Sequence, residues 1–386
     1  MCRDGHDRSN LLLPRVPGDG TGQTATPWTP VGDNRRVASL EELGWDDNWA
    51  AAFRPLAADG LVPGRVAIQH RGAYDVLTGD GEVRARISGR LRHAAGSPGE
   101  LPVVGDWVAL ERQIEADPTI QAVLERRTKF SRRAAQDPAG DVVAREQVVA
   151  ANVDLVFVVA SLADDVDPRL LERYLTLAWE SGARPVILLT KADLVPDSRR
   201  ASGELAEIGR EVPVVVVSAR TGVGLEDVRS RLGKGVTGAL LGPSGVGKST
   251  LVNALVGDDL LATGGLRADG SGRHTTTRRQ LVLLADGGLL VDNPGMREVH
   301  LWLADEGLED VFSDIVELES QCRFRDCSHE SEPGCAIRAA LADGRLSPER
   351  WQSYRDLQEE LTALEDRLAA RERSRSRRRP PEAGAR

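Results

Sequence analysis

The run Gly242-Pro243-Ser244-Gly245-Val246-Gly247-Lys248-Ser249-Thr250 satisfies G-x-x-x-x-G-K-S/T in full. Glycines in that pattern let the backbone curl until successive N–H groups face phosphate oxygens. Lys248 then reaches the β- and γ-phosphates of a nucleotide, and the Ser249 hydroxyl ligates Mg²⁺. A second run, Thr190-Lys191-Ala192-Asp193, supplies a carboxylate that can accept from guanine N1–H and its 2-amino group. Adenine offers no such pair of donors, and a site built on the pairing strongly rejects an analogue without it. Asp193 therefore selects the base. Lys191 can lay its aliphatic stem along the ring, and Ser218-Ala219 offers a backbone N–H toward guanine O6.

A third run, Asp292-Asn293-Pro294-Gly295, closes an apolar segment. Asp292 suits Mg²⁺ through water, and the Gly295 N–H suits the γ-phosphate. Gly272-Arg273-His274-Thr275-Thr276-Thr277 lies in a Gly-rich stretch, as expected of a switch ordered by γ-phosphate and metal, and one of Thr275 or Thr276 completes the metal shell. The order of these motifs is itself informative. The guanine motif and the Ser-Ala pair precede the P-loop, whereas an ordinary GTPase runs P-loop, switches, then guanine motif. The chain is circularly permuted, which is tolerable because domain termini often lie close together. Both switches then lead straight into the C-terminal region, where nucleotide state can be felt.

Cys322, Cys327, His329 and Cys335 form a Cys-x4-Cys-x-His-x5-Cys cluster. Three thiolates and an imidazole make a tetrahedral zinc set with no vacant position, hence a structural site. Its binding energy would fold a segment too small to hold its own core. Cys2 is the one cysteine outside the cluster and is no ligand candidate. So few cysteines exclude a secreted disulfide scaffold and point to the cytoplasm.

The elements that must position these groups follow from periodicity. Residues 64–133 alternate as short strands, with Gly79-Asp80-Gly81 as a hairpin turn, and suit a small barrel, OB-like or SH3-like. From about 152 to 310 strands and helices alternate. Asp154–Val159 is a continuous apolar run of the kind found in buried parallel strands. Further strands are expected at 185–189, 212–217, 238–241, 280–285 and 288–292, with helices after Pro168, near 200–210 and around 225–232. This is a doubly wound α/β sheet. A last helix starts at Ser347 as N-cap and buries Trp351, Tyr354, Leu357, Leu361, Leu364 and Leu368. Residues 1–40 carry no periodicity, while Glu41–Trp45 with Trp49 and Phe53 suggest one short helix of unreadable function.

From Val104-Gly105-Asp106-Trp107-Val108 through Gly-Arg-His-Thr-Thr to the Cys/His cluster, residues 62–370 resemble the RsgA family of ribosome small-subunit-dependent, circularly permuted GTPases. The resemblance implies an N-terminal OB-fold, a permuted GTPase domain and a C-terminal helical zinc-binding domain. It also implies association with the small (30S) subunit late in maturation and hydrolysis stimulated by the ribosome. The expected division is a flexible leader (1–61), an OB-fold RNA-binding domain (62–133), the GTPase domain (134–310), the zinc-binding domain (311–370) and a disordered basic tail (371–386). Two positions depart from the family pattern. Thr190 stands where Asn is usual, which would soften affinity and leave Asp193 intact, and Asn293 stands where Thr or Ser is commoner. Met296 follows Gly295 where Ras-type enzymes place the water-orienting Gln, so the catalytic role passes elsewhere. His274 is the candidate, and the resemblance points to the same residue.

The chain has 386 residues, 41% hydrophobic and 28% charged, with 50 Lys+Arg against 59 Asp+Glu. That composition excludes collagen-like, coiled-coil and wholly disordered classes, and no apolar run approaches a membrane span. The net charge of −9 argues at first against nucleic acid. Its distribution reverses the inference: residues 64–133 hold 12 Lys+Arg against 9 Asp+Glu, and 371–386 hold seven Arg against two Glu. Basic ends flank an acidic body. The barrel's Arg84, Arg86, Arg90 and Arg92 suit phosphate contacts. The expected function is a monomeric GTP hydrolase with GTP/GDP, the small subunit and its rRNA as partners, one structural Zn²⁺, and Mg²⁺ bound with GTP. The alternative is a regulatory GTP-binding module acting through protein partners without RNA.

Overall fold

The computed structural model describes residues 38–113, 116–133, 146–164, 166–197, 203, 212–257, 280–292 and 305–378. Regular structure begins inside the stretch expected to be a flexible leader. Gly44 turns the chain at φ +89°, where a Cβ would stand 2.7 Å from the Gly235 carbonyl oxygen. Asp46 then caps helix α1 (Asp47–Ala58) by accepting from the Trp49 N–H at 2.9 Å. The single helix expected from Glu41 onward is thus a turn followed by a capped helix. It is held because Leu43, Trp49 and Phe53 are buried and Trp45 packs edge-on against Trp107 at 4.7 Å.

Strands β1 (Val62–Gln69), β2 (Tyr74–Thr78) and β3 (Gly81–Ile87) follow, then the short helix α2 (Gly89–Ala94), β4 (Trp107–Glu111) and β5 (Thr119–Val123). They pair in the order β1-β2-β3-β5-β4, and β4 returns to β1 to close a five-stranded barrel. The β3–β5 pair is parallel. Alternation places Val66, Val76, Val83, Val108, Leu110 and Ile120 inside. Arg84 is paired with Asp75 at 2.9 Å and Arg86 with Asp117 at 3.7 Å, while Arg90 and Arg92 on α2 are exposed.

Two arginines of the basic stretch after β5 are paired within the molecule. Arg126 binds the buried Asp106 at 2.8 Å, and Arg127 forms two 2.6 Å bonds to Asp46. Strand β6 (Lys129–Arg133) then pairs antiparallel with β7 (Glu146–Ala151).

The α/β body comprises β8 (Leu155–Ser161), α3 (Pro168–Glu180), β9 (Arg184–Thr190), β10 (Val214–Val216), α4 (Leu225–Arg231), β11 (Thr237–Leu241), α5 (Lys248–Val256), β12 (Gln280–Leu283) and β13 (Leu289–Asp292). The order is β10-β9-β8-β11-β13-β12, parallel except for β12. Alternate residues of β8 feed two cores: Val156, Val158 and Ala160 lie with α3 residues such as Leu175. Leu155, Phe157 and Val159 lie with Val228 of α4 and Leu251 and Leu255 of α5. That two-sided burial is why the strand reads as an unbroken apolar run. One antiparallel pair, Ile68 with Gln280, continues this sheet into the barrel. The helix expected near 200–210 lies outside the described residues, Gly203 excepted.

Helices α6 (Asp305–Val311), α7 (Ser313–Ser320), α8 (Ala336–Asp343) and α9 (Pro348–Arg378) complete the described residues. Ser347 caps α9 as expected, its Oγ accepting from the Arg350 N–H at 3.1 Å. Tyr354, Leu357 and Leu361 are buried. The helix runs on through 371–378, a stretch expected to be disordered; Arg and Glu are good helix formers, and with no Gly or Pro before Pro380 nothing stops propagation. No described helix is long and apolar enough to cross a membrane.

Candidate functional site

The motifs meet at one edge of the body. In the parallel sheet β8 and β9 end in register, Ser161 opposite Thr190, and β10, β11 and β13 end on the same side. Ligands of open α/β sheets bind at the carboxyl ends of the strands. The P-loop leaves β11 at Gly242, where a Cβ would stand 2.3 Å from the Val159 carbonyl oxygen. It ends at Gly247, whose φ of +102° caps α5. Lys248 folds back over the loop, its Nζ donating to the carbonyls of Gly242 (2.6 Å) and Pro243 (2.5 Å). Ser249 and Thr250 are exposed on the first turn of α5. Asp292 ends β13, the strand paired with β11 in the sheet.

The guanine motif follows β9. Thr190 is buried, and its hydroxyl faces the carbonyls of Val246 in the P-loop and Ala160 at the end of β8. Lys191 adopts a left-handed conformation, φ 59°, and its Nζ pairs with Asp164 at 3.0 Å. Asp193 is exposed and accepts from the buried Ser218 hydroxyl at 2.6 Å. That hydrogen bond holds the Asp193 carboxyl below its ordinary range. Ala192 is joined to the next strand through its N–H and the Val217 carbonyl, 3.3 Å. The segments expected to read the base and to hold the phosphates are therefore one assembly, although 56 positions separate Thr190 from Val246. Two partners in it were not expected: Asp164, and the Val246 carbonyl. Asp164 lies in a Leu-Ala-Asp-Asp stretch that matches no motif, and a carbonyl carries no side-chain signature. His274, Thr275, Thr276 and Gly295 lie outside the described residues.

An open cavity of about 230 Å³ adjoins the P-loop on the α3 side, between Asp164, Leu170, Tyr174, Pro243 and Ser244. The guanine motif does not line it.

The second constellation is in the C-terminal region. Sγ of Cys322, Cys327 and Cys335 and a ring nitrogen of His329 all lie within 4.8 Å of one another. Cys322 follows the end of α7, and Cys335 is the N-cap of α8. His329 takes a left-handed conformation, φ 61°, which turns Nδ1 to 3.6 Å from Cys322 and 3.4 Å from Cys335. Backbone N–H groups of Ala336 and Arg338 donate to the Cys322 and Cys335 sulfurs at 3.3 and 3.4 Å, as suits thiolates. The far side of the ring is supported too: Nε2 faces Glu319 at 3.5 Å, and Glu319 accepts from the Tyr354 hydroxyl at 3.2 Å. A carboxylate behind a ligating imidazole fixes its tautomer and orientation. All four expected donors converge, and they can hold one metal ion.

Helix α9 ties this region to the body. Arg350 donates to Glu172 of α3 at 2.7 Å, to both carboxylate oxygens of Asp314 on α7 and to the Val311 carbonyl. Arg173 of α3 forms two bonds to Glu360, 2.8 and 2.9 Å.

Comparison with known proteins gives a consistent result. A family model described as RsgA GTPase matches residues 123–302. The chain is similar to a protein of Opitutus terrae named small ribosomal subunit biogenesis GTPase RsgA, 47% identical over 83% of this chain and 89% of that protein. A Streptomyces coelicolor protein of the same name is 44% identical over 92% of this chain and 96% of its own length. Among solved structures, YjeQ from Thermotoga maritima aligns with TM-score 0.59 and 27% identity, covering 78% of this chain and 99% of that one. YloQ, described as a circularly permuted GTPase, aligns with TM-score 0.55 and 25% identity over 80% and 96%.

Proposed function

The chain belongs to the RsgA GTPase family, and from that premise we propose that it hydrolyses GTP in the biogenesis of the small ribosomal subunit. One observation carries the reading: the Thr190 hydroxyl meets the Val246 carbonyl, so guanine motif and P-loop form a single site despite their permuted order. In that site Asp193, held ionised by Ser218, accepts from guanine N1–H and the 2-amino group. Lys191 exchanges Asp164 for the face of the base. Lys248 exchanges its two loop carbonyls for the β- and γ-phosphates, and the P-loop N–H groups with the N-terminus of α5 hold the remaining oxygens.

The exposed Ser249 hydroxyl on the first turn of α5 is a fitting oxygen ligand for Mg²⁺, with Thr275 or Thr276, and with Asp292 through water. When bound, that ion neutralises charge developing on the phosphates. The Gly295 N–H serves the γ-phosphate, and His274 orients the attacking water, since Met296 cannot. Three sulfurs and an imidazole with satisfied outer partners suit zinc, and with no open position the role is structural. The metal would pin the end of α7 to the start of α8 within a helical zinc-binding domain, 311–370.

The barrel's order, with β3 parallel to β5, supports an OB-fold, an architecture whose exposed face binds oligonucleotides. We assign residues 62–133 to that rRNA-binding domain and 134–310 to the GTPase domain. The protein acts as a monomer in the cytoplasm, where its cysteines stay reduced for metal. The test is GTP turnover alone, with purified small subunits and with large subunits. Stimulation confined to the small subunit is expected; equal rates in all three would overturn the reading.

A further inference from the structure

Among the described residues three large hydrophobic side chains are exposed: Leu194, Val223 and Phe324. The first two flank the Asp193–Ser218 contact in sequence and belong to the nucleotide site. Phe324 belongs to neither site. It lies between the first two metal donors, in Cys322-Arg323-Phe324-Arg325-Asp326-Cys327, and Arg323 and Arg325 on either side are exposed as well.

A single exposed apolar side chain needs no explanation. What distinguishes Phe324 is how it is presented. The loop carrying it is fixed at both ends by the metal donors. Arg323 is fixed further: its N–H donates to the Gly334 carbonyl at 3.1 Å, and its stem crosses Gly334, where a Cβ would come within 3.1 Å. The Arg323 guanidinium sits 5.4 Å from the Phe324 ring centroid. Neither Arg323 nor Arg325 meets a carboxylate among the described residues. The loop's one acid is Asp326, next to Cys327. Across the turn, Glu332 is occupied by the N–H groups of Ser328, Glu330 and Ser331.

An aromatic face on a loop held at both ends, with guanidinia beside it that meet no carboxylate among the described residues, matches the chemistry of an unstacked nucleobase. The ring or guanidinium plane receives the base, and the cations receive the adjoining phosphates. Aromatic and Arg side chains also populate protein hot spots, so a contact with protein is the outcome that the cross-link below must exclude. We propose that Phe324, with Arg323 and Arg325, is a stacking platform for an unpaired base of small-subunit RNA. The proposal rests on the functional reading above and narrows it to one contact.

The experiment uses the full chain. Wild type, Phe324→Ala, Phe324→Leu and Phe324→Tyr are loaded with a non-hydrolysable GTP analogue and sedimented with purified small subunits. Metal content and nucleotide affinity are measured in parallel. Complexes are then irradiated at 254 nm and digested. The Ala and Leu variants should bind subunits about tenfold more weakly, with Tyr near wild type. Metal content and nucleotide affinity should be unchanged, and the peptide holding residues 323–325 should carry a ribonucleotide adduct. Undiminished binding by the Ala variant overturns the proposal. So does rescue by Leu, or a cross-link from this peptide to a ribosomal protein, because either indicates apolar packing against protein. Failure of the wild type itself to bind small subunits would instead overturn the parent reading, and this one with it.

Discussion

The hydroxyl of Thr190 at the end of β9 faces the carbonyl of Val246 in the P-loop and, behind it, that of Ala160. A hydroxyl has one proton to give, so the two carbonyls share it. Thr190 therefore links the expected base-reading segment to the P-loop. Thr190→Val keeps the shape and removes the bond, leaving a buried carbonyl unpaired at a cost of about 1–3 kcal/mol. The expected result is roughly tenfold weaker binding of both GTP and GDP, with guanine preferred over adenine as before. Titration of a fluorescent nucleotide against wild type and Thr190→Val checks it, and unchanged affinities would remove Thr190 from the site's assembly.

On the proposed reading, Asp193 carries the selectivity. Asp193→Asn swaps one acceptor for a donor, so guanine should lose about a hundredfold or more while xanthine, with oxygen in place of the 2-amino group, should gain. The pH dependence has a definite sign. The Ser218 hydroxyl lowers the Asp193 pKa, so the carboxylate persists above the ordinary value of about 3.9 and is lost only as pH falls through the lowered one. GTP affinity should be flat between about pH 5 and 8. In Ser218→Ala, the acid-side loss of affinity should begin at higher pH, which competition binding across pH 3.5–6 measures.

The candidate motifs were legible because each falls within a short stretch and its chemistry dictates its residue types: Gly242–Thr250, Thr190–Asp193 and the four candidate metal donors needed no tertiary information. Strands such as β8 were legible because burial on both faces leaves only apolar residues. What escaped depends on contacts distant in sequence. Arg65 defaults to the surface, yet it is 2% exposed and donates to the carbonyls of Leu43, Gly105 and Asn152, joining leader, barrel and the β7–β8 turn. The aromatics Trp45 and Trp49 carry no periodicity that announces their partner, Trp107. Arg126 and Arg127 count toward the basic balance of 64–133 until Asp106 and Asp46, distant in sequence, are seen to neutralise them.

Metal removal should act locally. In Cys327→Ser the donor set falls to three, and the segment between α7 and α8 has little core of its own. One equivalent of zinc per chain is expected in wild type, released by a mercurial reagent, and well under one in the variant. Hydrogen exchange across 321–335 should rise sharply while GTP affinity stays within about twofold, because the P-loop lies on another part of the molecule. Equal protection with and without metal would argue that packing alone holds the loop.

Arg350 is the test of how the C-terminal region is fastened to the body. Its guanidinium serves Glu172, Asp314 and the Val311 carbonyl and lies 4.8 Å from the Phe312 ring centroid, with only 14% of the side chain exposed and 4% of Glu172. Arg350→Met leaves two carboxylates facing one another without a cation, a change expected to cost about 3–5 kcal/mol. Burial already raises the Glu172 pKa against the opposing pull of Ser353 and Arg350, and removing Arg350 raises it further. A carboxyl with a raised folded pKa favours the folded state at low pH and loses that contribution as pH rises through the folded value. The stability deficit of Arg350→Met should therefore shrink as pH falls from 7.5 to 5.5, and Glu172→Gln added to it should recover part of the loss at neutral pH. Thermal melts of the single and double variants at both pH values decide the matter. A deficit independent of pH, unrelieved by the second substitution, would place the cost in lost packing against Phe312.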